Sequence, residues 1–248
     1  MTTVNPKPRL QTAARTIDLL LAVAREPAGA SVKDIVGAMG VPRQVVYNLL
    51  HTMLELRVIR RTPQQRYTLG VGLLPIVTSF ERDLAIHDQL RPIVQSIARQ
   101  TGETAYAVGW LDDEIVVLET ARGAQPVHVA EVSLGYSGFA HARASGKLLL
   151  ACASDEQRRY YMSKRPLDPR TEHTIVSESV LEEEFARIRR DGFASEIEEF
   201  LPGLCCIAVP VPHTNEMLCV GISAPIDRFT LESERYRTEI IDILSHAE

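Results

Sequence analysis

The sequence predicts an α+β protein in two parts: a helical module closed by a β-hairpin, then an antiparallel sheet with flanking helices. Three observations carry this. Apolar residues recur at helical spacing through the first three segments, up to about Leu56. From Thr104 onward short β-like runs separated by tight turns alternate with helical stretches. Charge also divides along the chain. Residues 1–80 carry ten Lys/Arg against four Asp/Glu, a net of +6, which leaves −11 on the rest of a chain whose total is −5.

Within Gln11–Arg25, Ala14, Ile17, Leu20, Leu21 and Val23 fall near a period of 3.6, which predicts an amphipathic helix stopped by Glu26-Pro27-Ala28-Gly29. Ser31 is a good N-cap, and Asp34 three residues on makes a near capping box. The box opens a short helix over Val32–Ala38, and Gly40 can take the left-handed conformation that ends it. Pro42 suits the first turn of the third helix, where its missing N–H costs nothing. This helix runs to about Leu56 and buries Val45, Val46, Leu49, Leu50, Met53 and Leu54. Val58–Arg61 and Arg66–Leu69 then flank Thr62-Pro63-Gln64-Gln65 as a hairpin.

Helix, helix, tight turn, helix, basic hairpin is the order of a winged helix-turn-helix. Arg43, Gln44, Tyr47, Asn48 and His51 lie on a different face of the third helix from its apolar side. A helix fits the major groove of DNA, where Arg and Gln are the right side chains for guanine and adenine edges, and Tyr47, Asn48 and His51 can touch bases or phosphates. Arg60, Arg61 and Arg66 on the hairpin are placed to follow the phosphate backbone or minor groove, adding affinity without sequence information. A basic first third on an acidic body fits one end meeting a polyanion, and a double-stranded DNA operator is the expected partner. A plain helical bundle with a solvated polar face would leave the hairpin arginines without a role.

Gly70–Ile86 is largely apolar (Val71, Leu73, Leu74, Ile76, Val77, Phe80) and predicts a connecting helix that packs between domains or against a second subunit. The expected domains are therefore 1–70, a linker helix over 71–87, and 88–248. In the last of these a helix is expected over Asp88–Gln100, then strands over Thr104–Trp110, Ile115–Thr120 and Val127–Val132 as an antiparallel meander. Helices over Ser145–Ala153, Asp155–Lys164 and Glu178–Arg190 follow. Strands over Phe193–Glu196, Cys205–Pro210 and Met217–Ala224 complete the sheet, and a helix over Glu232–His246 closes the chain.

Hydrophobic content of 45% and charged content of 24% are ordinary for a globular protein. No apolar run approaches membrane-spanning length, and the N-terminus lacks a separate apolar stretch ending in a cleavage site, so no membrane association and a cytoplasmic location are expected. Cys152, Cys205, Cys206 and Cys219 form no C-x-x-C pair and read as reduced, mostly buried thiols. No histidine has a context tying it to Cys206 as a nucleophile's base, no ligand spacing announces a metal, and Ser145-Gly146-Lys147 is not a phosphate-binding loop because His141 and Leu148 stand where Gly and Ser/Thr are needed. Neither catalytic residues nor a cofactor is expected.

The chain resembles the IclR family of bacterial transcriptional regulators over about residues 10–247. The matching stretches are V-P-R-Q-V-V-Y-N-L-L-H-T-M-L-E-L at 41–56, R-Y-T-L-G at 66–70, T-G-E-T at 101–104, H-A-R-A-S-G-K-L-L-L-A at 141–151, R-D-G-F-A at 190–194, G-L-C-C-I-A-V-P-V at 203–211 and I-S-A-P at 222–225. Each is weak alone; their order and spacing are specific. The resemblance implies a dimer or a dimer of dimers (tetramer), a C-terminal domain with a profilin/GAF-like antiparallel sheet, and a small organic effector, often a carboxylate or aromatic catabolite. It places the effector against Ala144, Ser145, Gly146, Glu196, Cys206, Gly221 and Ser223.

Two departures from the family stand out. Asn48 occupies a recognition-helix position that is usually Arg, so the operator can differ from the common one. Arg143 replaces a small residue, and it either supplies a cation for an anionic effector or points into water. Ser145 is either a ligand contact or an N-cap; Glu196 either accepts bonds from an effector hydroxyl, pairs with Arg143, or joins Glu198 and Glu199 on a solvated acidic face. The functional expectation is a ligand-responsive DNA-binding transcriptional regulator. The rival is a metabolite-binding protein or enzyme whose N-terminal helices serve only protein contacts.

Overall fold

Ser31 and Asp34 satisfy each other's backbone: Asp34 N–H donates to Ser31 Oγ (3.2 Å) and Ser31 N–H to Asp34 Oδ2 (2.8 Å). In a computed structural model of the chain, this capping box starts α2 (Val32–Met39), between α1 (Gln11–Ala24) and α3 (Arg43–Glu55). The structure describes residues 8–246 except 84, 85, 112, 127–132, 213 and 215. The chain divides into two compact units, Met1–Leu84 and Ala85–Glu248.

In the first unit Gly40, at φ +61°, ends α2, and Pro42 caps α3 from just outside it rather than from its first turn. Leu19, Val23, Ile35, Val46, Leu49, Leu50 and Met53 meet in the middle of the three helices, joined by Ile59 and Tyr67 from the hairpin β1 (Ile59–Arg61) and β2 (Tyr67–Leu69). Ala30 adds a third, one-residue strand to that hairpin by exchanging both backbone bonds with Tyr67, each 2.8 Å. A short 3-10 turn (Val71–Leu73) leads into α4 (Leu74–Asp83), the first part of the expected linker helix. Val71, Leu74, Ile76, Val77 and Phe80 all stand exposed.

The second unit begins with α5 (Ile86–Thr101), which continues through Pro92. A five-stranded sheet follows, formed by β3 (Thr104–Leu111), β4 (Glu114–Ala121), β5 (Ala194–Ile197), β6 (Leu204–Pro210) and β7 (Leu218–Pro225) in the order β4-β3-β7-β6-β5. All pairings are antiparallel. The meander is interrupted: α6 (Ala144–Cys152), α7 (Asp155–Ser163) and α8 (Glu178–Asp191) lie between β4 and β5 in sequence, and the two halves join where β3 pairs with β7. The strand expected over Val127–Val132 lies outside the described residues.

Both faces of the sheet are covered. Ala105, Ala107, Ile207, Val220 and Ile222 pack with Leu90, Val94 and Ile97 of α5 and with Phe229, Tyr236 and Ile240 of α9 (Ile226–Ser245). Tyr106, Val108, Cys206, Ala208 and Cys219 pack with Ala144 and Leu148 of α6 and with Phe185 of α8. The closing helix starts at Ile226, six residues before the expected Glu232. Those added residues bring Phe229 into the core and Arg228 to Glu103. Glu103 is fully buried, and Arg228 grips both its carboxylate oxygens (2.6 and 2.8 Å) while Tyr236 Oη donates a third bond at 3.0 Å. The T-G-E-T stretch is thus the clamp that fixes α9 to the start of β3. Among the described residues no helix is long and apolar enough to cross a membrane.

Replacing Glu103 by Ala leaves a partly buried guanidinium and a buried phenol without their acceptor. The expected loss is about 2–4 kcal/mol of unfolding free energy, read by urea titration of the C-terminal unit's transition.

Candidate nucleic-acid face and buried polar cluster

The core side of α3 is Val46, Leu49, Leu50 and Met53. Helical geometry therefore turns Arg43, Gln44, Tyr47, Asn48 and His51 outward, and all five are exposed. They are arranged in pairs one turn apart. Arg43 Nη2 donates to Tyr47 Oη (3.1 Å) with its guanidinium 5.5 Å over the Tyr47 ring, Gln44 Nε2 donates to Asn48 Oδ1 (3.1 Å), and His51 stands 3.6 Å from Glu55. These pairings hold long side chains extended at little cost and leave the Arg43 and Gln44 forks with spare donors.

On the hairpin Arg60 and Arg61 are exposed, and Arg61 lies 5.7 Å over Tyr67. Arg66 departs from the expected free phosphate contact. Its Nε donates to the Gly29 carbonyl (2.6 Å) and its Nη2 to Asp34 (3.2 Å), so it ties the hairpin to the capping box of α2. The arginine that looked like a backbone reader is first a strut of the fold.

In the second unit the effector-site residues named from the sequence all lie on the α6 side of the sheet or at the start of α6. Cross-strand pairing sets Glu196 opposite Cys206 and Cys206 opposite Ser223, a row running across β5, β6 and β7; Gly221 sits opposite Tyr106 and Ala208 in the next row. Two of the named residues have a packing role. A Cβ on Gly221 would meet the Ile207 carbonyl at 2.2 Å, and one on Gly146 would meet that of Ala140 at 2.3 Å, so each glycine admits another backbone. Ser145 is not the N-cap of α6. The helix begins at Ala144 behind Arg143, which caps it without a side-chain bond, and Ser145 lies buried in the first turn. The N–H groups of that turn precede the first helical bond, donated by Lys147 to the Arg143 carbonyl at 2.8 Å.

Neither Arg143 nor Glu196 faces water; they are 6% and 1% exposed. That excludes the solvated acidic face for Glu196 and the water-facing position for Arg143. Glu196 Oε2 accepts from the N–H groups of Glu199 (2.9 Å) and Phe200 (3.4 Å), while Oε1 has no partner. Burial raises the Glu196 carboxyl to about 7, and burial together with that carboxyl pushes the Cys206 thiol well up, so Cys206 is a neutral thiol with no character of a nucleophile. His141, the nearest candidate base, is buried with Nε2 3.0 Å from the Asp168 carbonyl, and desolvation lowers its pKa. At the edge, buried Lys147 bonds Glu199 (2.6 Å) and Glu184 (3.2 Å).

Arg143 Nη2 donates to the Ile115 carbonyl (3.2 Å) and its guanidinium lies 5.3 Å over the Tyr136 ring, but Nε and Nη1 are buried without a partner. Trp110 Nε1 and Tyr161 Oη are likewise unanswered, with the two rings meeting edge to face at 5.3 Å. Sequence reasoning missed Tyr106, Trp110, Tyr136 and Tyr161. The signal for two of them was present, since Tyr106 and Trp110 alternate with small residues on one strand and so share a face. Tyr136 and Tyr161 come from a loop and a separate helix, which no local pattern links. Among the described residues no three potential metal ligands cluster.

The profile described as "IclR helix-turn-helix domain" matches residues 12–63, and "Bacterial transcriptional regulator IclR C-terminal" matches residues 80–247. The chain is 25% identical to the transcriptional repressor IclR of Escherichia coli (strain K12) over 90% of this chain and 82% of that protein. It is 23% identical to the HTH-type transcriptional regulator TtgV of Pseudomonas putida, over 94% and 88%. The Thermotoga maritima IclR crystal structure superposes with a TM-score of 0.74 at 25% identity, covering 95% of this chain and 96% of that one. An IclR homologue from Microbacterium hydrocarbonoxydans, complexed with 4-hydroxybenzoate, has the same fold (TM-score 0.72, 18% identity, 94% and 99% coverage).

The raised Glu196 carboxyl has a thermodynamic consequence. The folded state holds this proton more tightly than the unfolded chain, so stability is greatest below about pH 4.5 and declines as pH rises to about 7. The full span is on the order of 3 kcal/mol for this group. Glu196→Gln keeps an acceptor for the Glu199 and Phe200 amides and removes the titration. Melting curves from pH 5 to 8 are expected to fall less steeply for the variant than for the wild type, and parallel curves would contradict the assignment.

Proposed function

Because the chain belongs to the IclR family of bacterial transcriptional regulators, we propose that it is a dimeric repressor or activator whose hold on an operator is set by a small organic effector. The observation that carries this is the separation of two chemistries into two units. One presents an exposed polar helix face beside a basic hairpin. The other buries donors and acceptors that its own fold leaves unanswered. Both matching domains are those of regulators, which sets the enzyme reading aside.

Arg43 and Gln44, at the start of α3, are the proposed base readers, with Tyr47, Asn48 and His51 behind them on bases or phosphates. Arg60 and Arg61 supply phosphate contacts, and Arg66 contributes by holding the hairpin in place. The exposed apolar residues of α4, together with Leu10, Ile17 and Leu21 on or beside α1, support a second copy as the cover for this unit. A dimer would set two recognition helices about 34–36 Å apart, or a multiple of that, on a palindromic site. The cytoplasm, where the DNA lies, is the proposed location.

The effector is proposed to lie against the start of α6 and the row Glu196, Cys206 and Ser223, with Ala144 and Ser145 offering first-turn N–H groups and Gly146 and Gly221 shaping the wall. The relative that carries 4-hydroxybenzoate supports a ligand of this size. Such a ligand changes operator affinity only by its difference in affinity for the DNA-bound and free arrangements.

Salt dependence tests the DNA reading. Log affinity for duplex DNA is expected to fall steeply with log salt, and Arg61→Ala should shallow that slope by about 0.9. Gln44→Ala should leave the slope and relax preference at one base position by about 1–3 kcal/mol, read by anisotropy on duplexes selected from a random library. A flat salt response in the wild type would remove the DNA-binding reading.

A further inference from the structure

A guanidinium taken out of water is tolerated only when its charge and its N–H groups find partners. Arg143 meets that condition only in part. Of its five N–H bonds, the three on Nε and Nη1 have no acceptor among the described residues, and no carboxylate pairs with it there. Burial lowers its pKa, yet an arginine starts so high that it stays cationic. The groups around it are neutral: burial raises the phenols of Tyr106 and Tyr161 and the thiol of Cys219, so none supplies the missing negative charge. The nearby walls are aromatic, with Tyr136 under the guanidinium and Tyr161 meeting Trp110 edge to face. Two further donors, Tyr161 Oη and Trp110 Nε1, are buried and unanswered on the same side of the sheet.

Resting on the effector reading above, we propose that Arg143 is the anion receptor of this site, and that the effector is a planar carboxylate carrying a second hydrogen-bond acceptor. Its carboxylate takes the free N–H groups of Arg143. Its flat body lies among Tyr136, Tyr161 and Trp110, and its second acceptor takes the Tyr161 hydroxyl or the Trp110 N–H. Lys147 is no substitute, because Glu199 and Glu184 already neutralise it. Arg143 therefore sets the charge of the ligand, and the aromatic walls set its shape.

The test uses the full chain, in a buffer free of carboxylates, as wild type, Arg143→Met and Arg143→Gln. Thermal shift and calorimetry compare matched pairs: 4-hydroxybenzoate with 4-hydroxybenzamide, and 2-furoate with 2-furamide. Without ligand, Arg143→Met is expected to melt at or above the wild type, because it removes an uncompensated buried charge. At least one carboxylate should stabilise the wild type more than its amide, and its affinity should weaken on the order of 10- to 100-fold in both variants. The proposal is overturned if both variants melt well below the wild type, if a carboxylate binds wild type and variants alike, if the amide binds as well as the acid, or if no carboxylate shifts the wild type. Retardation of duplex DNA by the wild type in the same buffer separates the two readings. DNA binding with no carboxylate response rejects the anion receptor and leaves the regulator standing; loss of DNA binding rejects the regulator itself.

Discussion

A sheet covered on both faces cannot leave its polar groups to water, and that constraint organises the C-terminal unit. On the side of α5 and α9 it is met by hydrocarbon, with Ala, Val and Ile from four strands and the single clamp of Arg228 and Tyr236 on Glu103. On the side of α6 it is met incompletely. The same sheet, with the same register, presents Tyr106, Cys206, Ser223 and Glu196 there, and around them Arg143, Trp110 and Tyr161 keep donors with nothing to donate to. A fold selected for stability alone has an inexpensive alternative at each of these positions, since apolar residues of similar volume would fill the layer. The retained polarity therefore points to a ligand that completes it.

Much of this architecture was legible in the sequence because its signals are local. The capping box at Ser31 and Asp34, the Gly40 stop and the period of α3 each depend on residues within four positions of one another. The order of helices and hairpin then followed from simple adjacency. The closing helix was placed six residues late because its start is set at a distance. Pro225 caps it and Glu103, more than a hundred residues earlier, holds its first turn through Arg228. The sheet order was hidden for the same reason: β3 pairs with β7 across three intervening helices.

The sites divide along the same line. The polar face of α3 is a property of one helix and could be read directly. Arg66 was misjudged because its partners, Gly29 and Asp34, lie 37 and 32 residues away, and charge alone does not distinguish a strut from a phosphate contact. Glu196 looked like part of an acidic run, yet strand alternation turns it inward while Ile197 faces out. Tyr136 and Tyr161 could not be anticipated, since only tertiary structure brings a loop and a helix to Arg143.

Charge ties the two units into one argument. In the first, cations stand in water, where a long-range field attracts a polyanion and salt screens it. In the second, the cation of Arg143 is shielded from water and from salt, so it acts only on a partner that enters and loses its own hydration. The first arrangement favours fast, forgiving association with a polymer found everywhere in the cell. The second favours discrimination, because a neutral look-alike leaves the buried guanidinium unanswered and forfeits the interaction that would compensate its burial. Response to one metabolite and search along DNA place opposite demands on the same kind of side chain, and the chain meets both by changing only how much water surrounds it.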